Sequence, residues 1–282
     1  MLRVKKNHPL LKPLSISASL TVLAVTTGAR AADFAIADQT PGPVFDERRF
    51  EPERAEPKWG LIIGAGASYK PEYEGSGDFK VSPIPMIAIT YGGWVEVDPR
   101  GLSVTVLEHS GFSFAGRVGY ETGRDEDDHD MLRGLGDIDF AATVGARVGY
   151  NWGPLELYAE VDKTISGSES LIGTFGMEYS APVTERLILG AGVSATVADD
   201  NHMESYFGIN AVQSAASGLS EYKAEAGLKR VDFTATATYM VNENWLVRGQ
   251  AGLGVLTGDA ADSPIVEEKI QPSIMLGVGY KF

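Results

Sequence analysis

The chain has 282 residues, 24 of them basic and 38 acidic, for a net charge of −14. An acidic surplus of that size repels nucleic acid and anionic surfaces, so no nucleic acid is expected among its partners. Cysteine is absent, which removes disulfide frameworks, thiolate nucleophiles and Cys-ligated metals.

The N-terminus reads as a secretory signal. Arg3, Lys5, Lys6 and Lys12 form a positive region, and Leu14 to Val25 is an apolar core. Ala29-Arg30-Ala31 supplies small residues where signal peptidase reads them, so residues 1–31 are expected to be cut between Ala31 and Ala32. Cleavage takes away five of the 24 basic residues and none of the 38 acidic ones, leaving −19. No other stretch approaches the ~18 uncharged apolar residues of a membrane-spanning helix. Residues 32–57 follow, with Pro41, Pro43, Pro52 and Pro57 among many charges. Few apolar groups and high charge predict a flexible periplasmic arm.

From residue 58 to 282 the pattern is that of hairpins. Ile138, Phe140, Ala142, Val144, Ala146, Val148 and Tyr150 alternate with Asp137, Asp139, Ala141, Thr143, Gly145, Arg147 and Gly149. Strand side chains point to alternate faces, so such a segment has one apolar and one polar side. Comparable segments occur near 59–69, 83–91, 111–121, 154–164, 170–181, 185–197, 229–240, 244–256 and 270–282. Further strand pairs are read at 94–107 and 204–228. The expected fold is all-β, an antiparallel transmembrane barrel of about 12 strands (10–14). The last strand places Ile274, Leu276, Val278, Tyr280 and Phe282 on one face. Tyr280 and Phe282 at that end form the expected signal for the barrel assembly machinery.

Connections alternate in length. Short ones fall at 91–94, 151–154, 182–185 and 242–244, and long polar ones near 70–81, 122–136, 198–204 and 257–269. Outer-membrane barrels have short periplasmic turns and longer extracellular loops. Trp59, Trp94, Trp152 and Trp245 lie at the short-turn end, where an aromatic girdle would meet the lipid headgroups. Outer-membrane lipid is therefore one expected partner, and the outer membrane of a Gram-negative bacterium the expected location.

Projected inward, the alternation places Arg117, Arg147, Arg186 and Arg248 with Asp139, Glu156, Glu160 and Asp232 in the lumen, alongside Glu121, Asp137, Asp162 and Glu178. Cross-strand ladders of opposite charge either plug a barrel or line a narrow pore. Acid exceeds base, which favours cations if the lumen conducts.

No catalytic residues, metal ligands or cofactor are expected. Glu108, His109 and Ser110 are consecutive, so they point to alternate faces and cannot form one relay. Asp125–Asp130 clusters carboxylates but lacks the glycine of a calcium loop, and a solvated loop is the reading. His202, in Asp199-Asp200-Asn201-His202, is likewise read as a solvated loop residue.

Several runs resemble a known family. They are Pro71-Glu72-Tyr73-Glu74-Gly75-Ser76, Ser205-Tyr206-Phe207-Gly208-Ile209, Ala224-Glu225-Ala226-Gly227-Leu228, and Gly258-Asp259-Ala260-Ala261-Asp262-Ser263-Pro264-Ile265-Val266. Their order resembles the MipA/OmpV family of outer-membrane proteins over about residues 58–282. Gly258, Asp259, Asp262, Ser263 and Pro264 carry the most specific part. The resemblance implies a non-enzymatic scaffold that joins a lytic transglycosylase to a murein synthase. It also admits an adhesin or a stress-responsive surface protein. A small cation-preferring or polar-solute channel is the alternative from the lumen charges.

Overall fold

The computed structural model describes residues 59–282. The expected signal peptide, its Ala31–Ala32 cleavage site and the expected arm at 32–57 lie outside the described residues. Alternating apolar and polar residues become twelve strands among the described residues. They are β1 (Trp59–Pro71), β2 (Phe79–Tyr91), β3 (Val95–Asp98), β4 (Gly101–His109), β5 (Phe112–Glu121) and β6 (Ala141–Trp152). Then follow β7 (Leu155–Thr164), β8 (Leu171–Pro182), β9 (Leu187–Ala198), β10 (Gly227–Met240), β11 (Trp245–Leu256) and β12 (Ile270–Lys281). Each pairs antiparallel with its neighbours, and β12 returns to β1, closing the barrel.

The predicted pair at 94–107 is β3 and β4. The predicted pair at 204–228 does not form. That stretch holds two helices, α1 (Asp200–Phe207) and α2 (Ala211–Ser217), with an isolated bridge between Ile209 and Tyr222. Local caps decide this. The Asp199 carboxylate accepts from the His202 N–H at 3.0 Å, and Asn210 with Gln213 forms a capping box. Gly218, at φ +79°, ends α2 in the left-handed conformation that glycine adopts freely. These caps satisfy backbone groups that a weak alternation leaves open.

The two faces of the wall differ as the period of two requires. Outward residues such as Val118, Val144, Phe175, Phe233 and Leu276 are exposed, whereas inward Thr143, Thr174, Ser194, Thr196 and Thr238 are buried. Aromatic rings gather at the short-turn rim. Trp59 and Tyr91 lie 4.5 Å apart between centroids, Phe112 and Tyr150 4.5 Å, and Trp245 and Tyr280 5.1 Å. Tyr280 also meets Phe282 edge-on, and the Phe282 N–H donates to the Leu61 carbonyl at 3.0 Å.

This register can be checked at adjacent positions on β10. Ala235 faces outward, and Thr236 lines the interior cavity. Ala235→Arg should lower folding stability in lipid vesicles by about 2–4 kcal/mol, the cost of a cation on the lipid face near the midplane. Thr236→Arg should cost far less, because its head reaches a hydrated, charged interior. Equal losses would mean the register is displaced by one residue.

Candidate functional site

The interior divides into a charged cavity at the short-turn end and a packed cap at the long-loop end. The cavity has a volume of about 610 Å³. Gly92, Gly93, Trp94, Asn151 and Gly153, all at or beside short turns, form its mouth. Short turns are periplasmic in such barrels, so the cavity opens toward the periplasm.

Its wall carries an ion ladder. Arg117 of β5 pairs with Glu160 of β7. Arg147 of β6 donates through Nη2 to Glu156 at 3.1 Å and through Nη1 to Glu160 at 3.2 Å. Its guanidinium also stands 3.9 Å over the Tyr158 ring. The register explains the meeting. Arg147 lies opposite Glu160 on β7, and Asn151 lies opposite Glu156 one turn of the ladder lower. A planar guanidinium with two forks and a face can serve all three partners at once. Asp162 extends the ladder opposite Gly145, where a side chain on residue 145 would collide with its carboxylate. Arg248 lies on the far wall of the cavity, within 3.5 Å of the Thr238 hydroxyl.

Three expected lumen charges are elsewhere. Arg186 sits exposed in the turn before β9, where its N–H donates to the Thr184 hydroxyl. Asp139 is exposed in the loop before β6. Both have inward parity, but each strand starts one or two residues later, so neither is held by the ladder. Asp137 is also a loop residue, accepting from the Glu126 N–H at 2.9 Å.

A second ionic cluster closes the outer end. Asp232 is buried and accepts from Arg230 Nε at 2.7 Å. Arg230 and Lys229 both reach Glu74, at 3.3 and 3.1 Å. Lys229 Nζ also approaches His202 Nε2 at 3.2 Å, while His202 Nδ1 faces Ser170 Oγ at 3.3 Å and Glu121 at 3.6 Å. His202 is therefore buried, not a solvated loop residue: α1 turns it into this outer cluster, stacked on the Tyr206 ring. Burial, reinforced by the Glu121 carboxylate, pushes the Tyr206 hydroxyl above the usual tyrosine range, so it stays a donor. Ser170 and Glu121 share one His202 nitrogen, which is not a nucleophilic relay.

Sequence reasoning missed Lys229, Arg230 and Glu74. The β9–β10 register shifts between Leu228 and Arg230. A bulge there lets two consecutive residues turn inward and breaks the parity used to assign faces. Glu74 comes from the β1–β2 loop, 155 residues away from Lys229, and no local pattern announces that contact.

Above this cluster the long loops pack on one another. Leu132, Leu135, Met203, Phe207, Ile209, Ala224, Ala260 and Ile265 form a continuous apolar core. It is drawn from the β5–β6, β9–β10 and β11–β12 connections, and Tyr73 of the β1–β2 connection packs against it. The Gly258–Pro264 motif contributes Ala260 and Ala261 to it. Gly258, at φ +54°, starts the short helix α3 (Gly258–Asp262). Asp259 accepts the Glu225 N–H on its carboxylate and the Tyr222 hydroxyl on its carbonyl, both at 2.8 Å. Asp262 pairs with Lys269, and the Ser263 hydroxyl donates to the Phe207 carbonyl at 2.6 Å. Pro264 follows directly before buried Ile265, whose carbonyl accepts from Tyr73. The acidic run is folded into the same cap. Glu126 accepts from the Gly134 and Gly136 N–H groups, and His129 pairs with Asp78.

The ladder can be tested through Arg147. Arg147→Ala removes one charged partner from Glu156 and one from Glu160, which keeps Arg117, and should cost about 1.5–3 kcal/mol, the range for hydrogen bonds to charged groups. Urea unfolding in vesicles would measure it. No change would show that water already satisfies these carboxylates.

The chain is 26% identical over 230 residues to YiaT of Escherichia coli (strain K12), a protein whose name refers to the outer membrane; the match covers 79% of this chain and 91% of that one. Among solved structures it is similar to the KdgM porin, at 11% identity, TM-score 0.39, 78% of this chain and 99% of that chain. It is also similar to the NanC porin, at 7% identity, TM-score 0.44, 79% of this chain and all of that chain. The protein is an outer-membrane β-barrel. The family described as MltA-interacting protein MipA matches residues 63–282, and the chain belongs to that family.

Proposed function

We propose that this barrel is a non-enzymatic scaffold that offers its periplasmic rim and cavity to a murein-modifying enzyme of the envelope. One observation carries the reading. The outer mouth is filled by loops with their own apolar core, while the cavity opens among the short turns. A channel needs continuity at both ends; a docking vestibule needs only one. The family's description, naming an interaction with MltA, supports a lytic transglycosylase as the partner. Exposed Trp152 and half-exposed Trp94 stand on that rim, and tryptophan is enriched among residues that dominate binding energy.

A channel for small polar solutes is the second reading, favoured by the charged lining. Five carboxylates (Glu96, Asp98, Glu108, Glu156, Glu178) and four guanidinium groups (Arg100, Arg117, Arg147, Arg248) face the cavity. So nearly balanced a set gives a weaker cation preference than the whole-chain charge suggests. The arm at 32–57 and the C-terminal recognition by the assembly machinery remain part of the proposal.

Purified barrel in planar bilayers should show no steady conductance. It should bind a purified MltA-type lytic transglycosylase in detergent. Replacing Trp94 and Trp152 together with Ala should weaken that binding about tenfold or more, equivalent to 1.4 kcal/mol or more. Phe207→Ala, which empties the cap core at a cost of about 3–5 kcal/mol, should introduce flickering conductance and leave the binding unchanged. Steady wild-type conductance with no enzyme binding would move the channel reading to first place.

A further inference from the structure

The seam that closes the barrel forks at its outer end. The β1–β12 register stops at Tyr69 opposite Ile274. Strand β1 nevertheless runs on to Pro71, opposite Phe79 of β2, and β12 starts at Ile270, opposite Val255 of β11. Among the described residues, Lys70 and Pro71 on one branch and residues 270–273 on the other therefore keep ladder partners only on their far sides. Pro71 and Pro272 stand on the two branches, and neither has an N–H to leave unsatisfied.

A pocket of about 80 Å³ lies in this fork. Lys70 and Ser68 of β1, Gln271 and Ser273 of β12, Gln250 of β11 and Arg230 of β10 line it, beside the apolar Ile84 and Met275. The lining holds two cations and no carboxylate, in a chain whose net charge is −14. Exposed Ile274 also borders it, so the pocket reaches from the lumen to the lipid-facing surface.

Local structure builds each cation into place. Arg230 gets there by lying across β11. Gly254 is opposite Asp232 of β10 and Gln271 of β12, and a Cβ on it would strike the Arg230 guanidinium. Bare backbone at 254 lets the guanidinium cross. Arg230 donates to Asp232 at 2.7 Å and to Glu74 at 3.3 Å. A guanidinium carries five donors in a fixed fork, so it can hold these carboxylates and still present an edge to the pocket. Lys70 lies directly opposite Lys80 of β2. Like charges so placed repel, and Lys80 makes no ion pair among the described residues. Gln271 is a fixed wall: its amide donates to the Ser76 and Glu268 carbonyls and accepts from the Gly75 N–H.

The level of the fork narrows the choice of ligand. Tyr69 and Phe79 stack at the end of the β1–β2 hairpin, 5.2 Å between centroids, and Tyr69 is exposed. Aromatic girdles mark the interfaces of a transmembrane barrel, so the fork stands at the headgroups of the outer leaflet.

We propose that the fork is a binding site for a phosphate group, either the phosphomonoester headgroup of an outer-leaflet lipid or free phosphate from the medium. A tetrahedral oxyanion accepts in several directions at once. That suits an ammonium from β1, a guanidinium edge from β10 and the Ser273 hydroxyl around one small pocket. An anion beside Lys70 also relieves its repulsion with Lys80. The volume holds such an ion with a few waters and not a whole lipid; acyl chains would remain outside, along Ile274. The pocket shares no lining residue with the periplasmic cavity, so the proposal stands apart from the scaffold reading.

Equilibrium dialysis of radiolabelled inorganic phosphate against the purified barrel in dodecyl maltoside, a phosphate-free detergent, tests the site. Native mass spectrometry of the same micelles counts retained phosphatidic acid, with phosphatidylcholine as the control. Saturable binding of one phosphate group per barrel is expected. Lys70→Gln should weaken it about tenfold or more, the loss of one contact to a charged group. Lys70→Arg should restore most of it. Lys163→Gln, at an exposed lysine on the outer end of β7, should leave it unchanged. Lys80→Gln should also weaken binding, and serves if the Lys70 variants fold poorly. Retention of phosphatidic acid, displaced by inorganic phosphate, assigns the site to a lipid headgroup; binding of inorganic phosphate alone assigns it to the free ion. No saturable binding of either probe, or wild-type affinity in both Lys70→Gln and Lys80→Gln, would overturn the site.

Discussion

Inside a bilayer a strand edge has no water to turn to, and every unmatched backbone N–H or C=O costs several kcal/mol. Closure is the answer to that constraint, and here it is made by the contact of β1 with β12. The register runs from Ile62 opposite Lys281 to Tyr69 opposite Ile274. Two glycine pairs lie within it, Gly64 with Gly279 and Gly66 with Gly277. A Cβ on Gly64 would fall on the Val278 carbonyl, so the seam depends on bare backbone at that crossing. Once the seam closes, the period of two divides the side chains into a lipid face and a lumen, and the rest of the structure follows.

The lumen then poses its own electrostatic problem. Charges taken out of bulk water must be paired and hydrogen-bonded. Arg147, shared between Glu156, Glu160 and the Tyr158 face, solves it at mid-height. Glu74, Lys229, Arg230 and Asp232 solve it beneath the cap. The second set needs a loop residue, which ties the cap to the wall. Cap and barrel are therefore one electrostatic unit, although they bury different kinds of surface.

The two rims meet different demands. Short turns leave little backbone to satisfy, and their aromatic neighbours sit where ring and headgroup meet. Long loops carry many more polar groups, and they remain compact only by building a core of their own around Phe207, Met203 and Leu132. The Gly258–Pro264 run makes this possible by satisfying backbone and hydroxyl groups of the neighbouring connection. Its distinctive sequence is thus explained by cap architecture, with no need for a chemical step.

Periodicity alone determined the fold class, the faces of most strands and the length asymmetry of the connections. Each of these depends on residues close in sequence, through the alternation of side chains and the chemistry of turns. Arg117, Arg147, Glu156 and Glu160 could be read as inward for the same reason. Only the tertiary structure decided what breaks that local rule. The bulge at Leu228–Arg230 turned Lys229 and Arg230 inward together, and strand starts at Ala141 and Leu187 left Asp139 and Arg186 outside. Helix caps at Asp199 and Asn210 overruled the alternation at 204–228, and α1 carried His202 into the interior. The early stop of β3, which pairs with β2 only at Ile89, Thr90 and Tyr91, depends on which strand lies next to β2 and how far it rises. Such features are set by contacts between segments distant in the chain, and a pattern with a period of two carries no information about them.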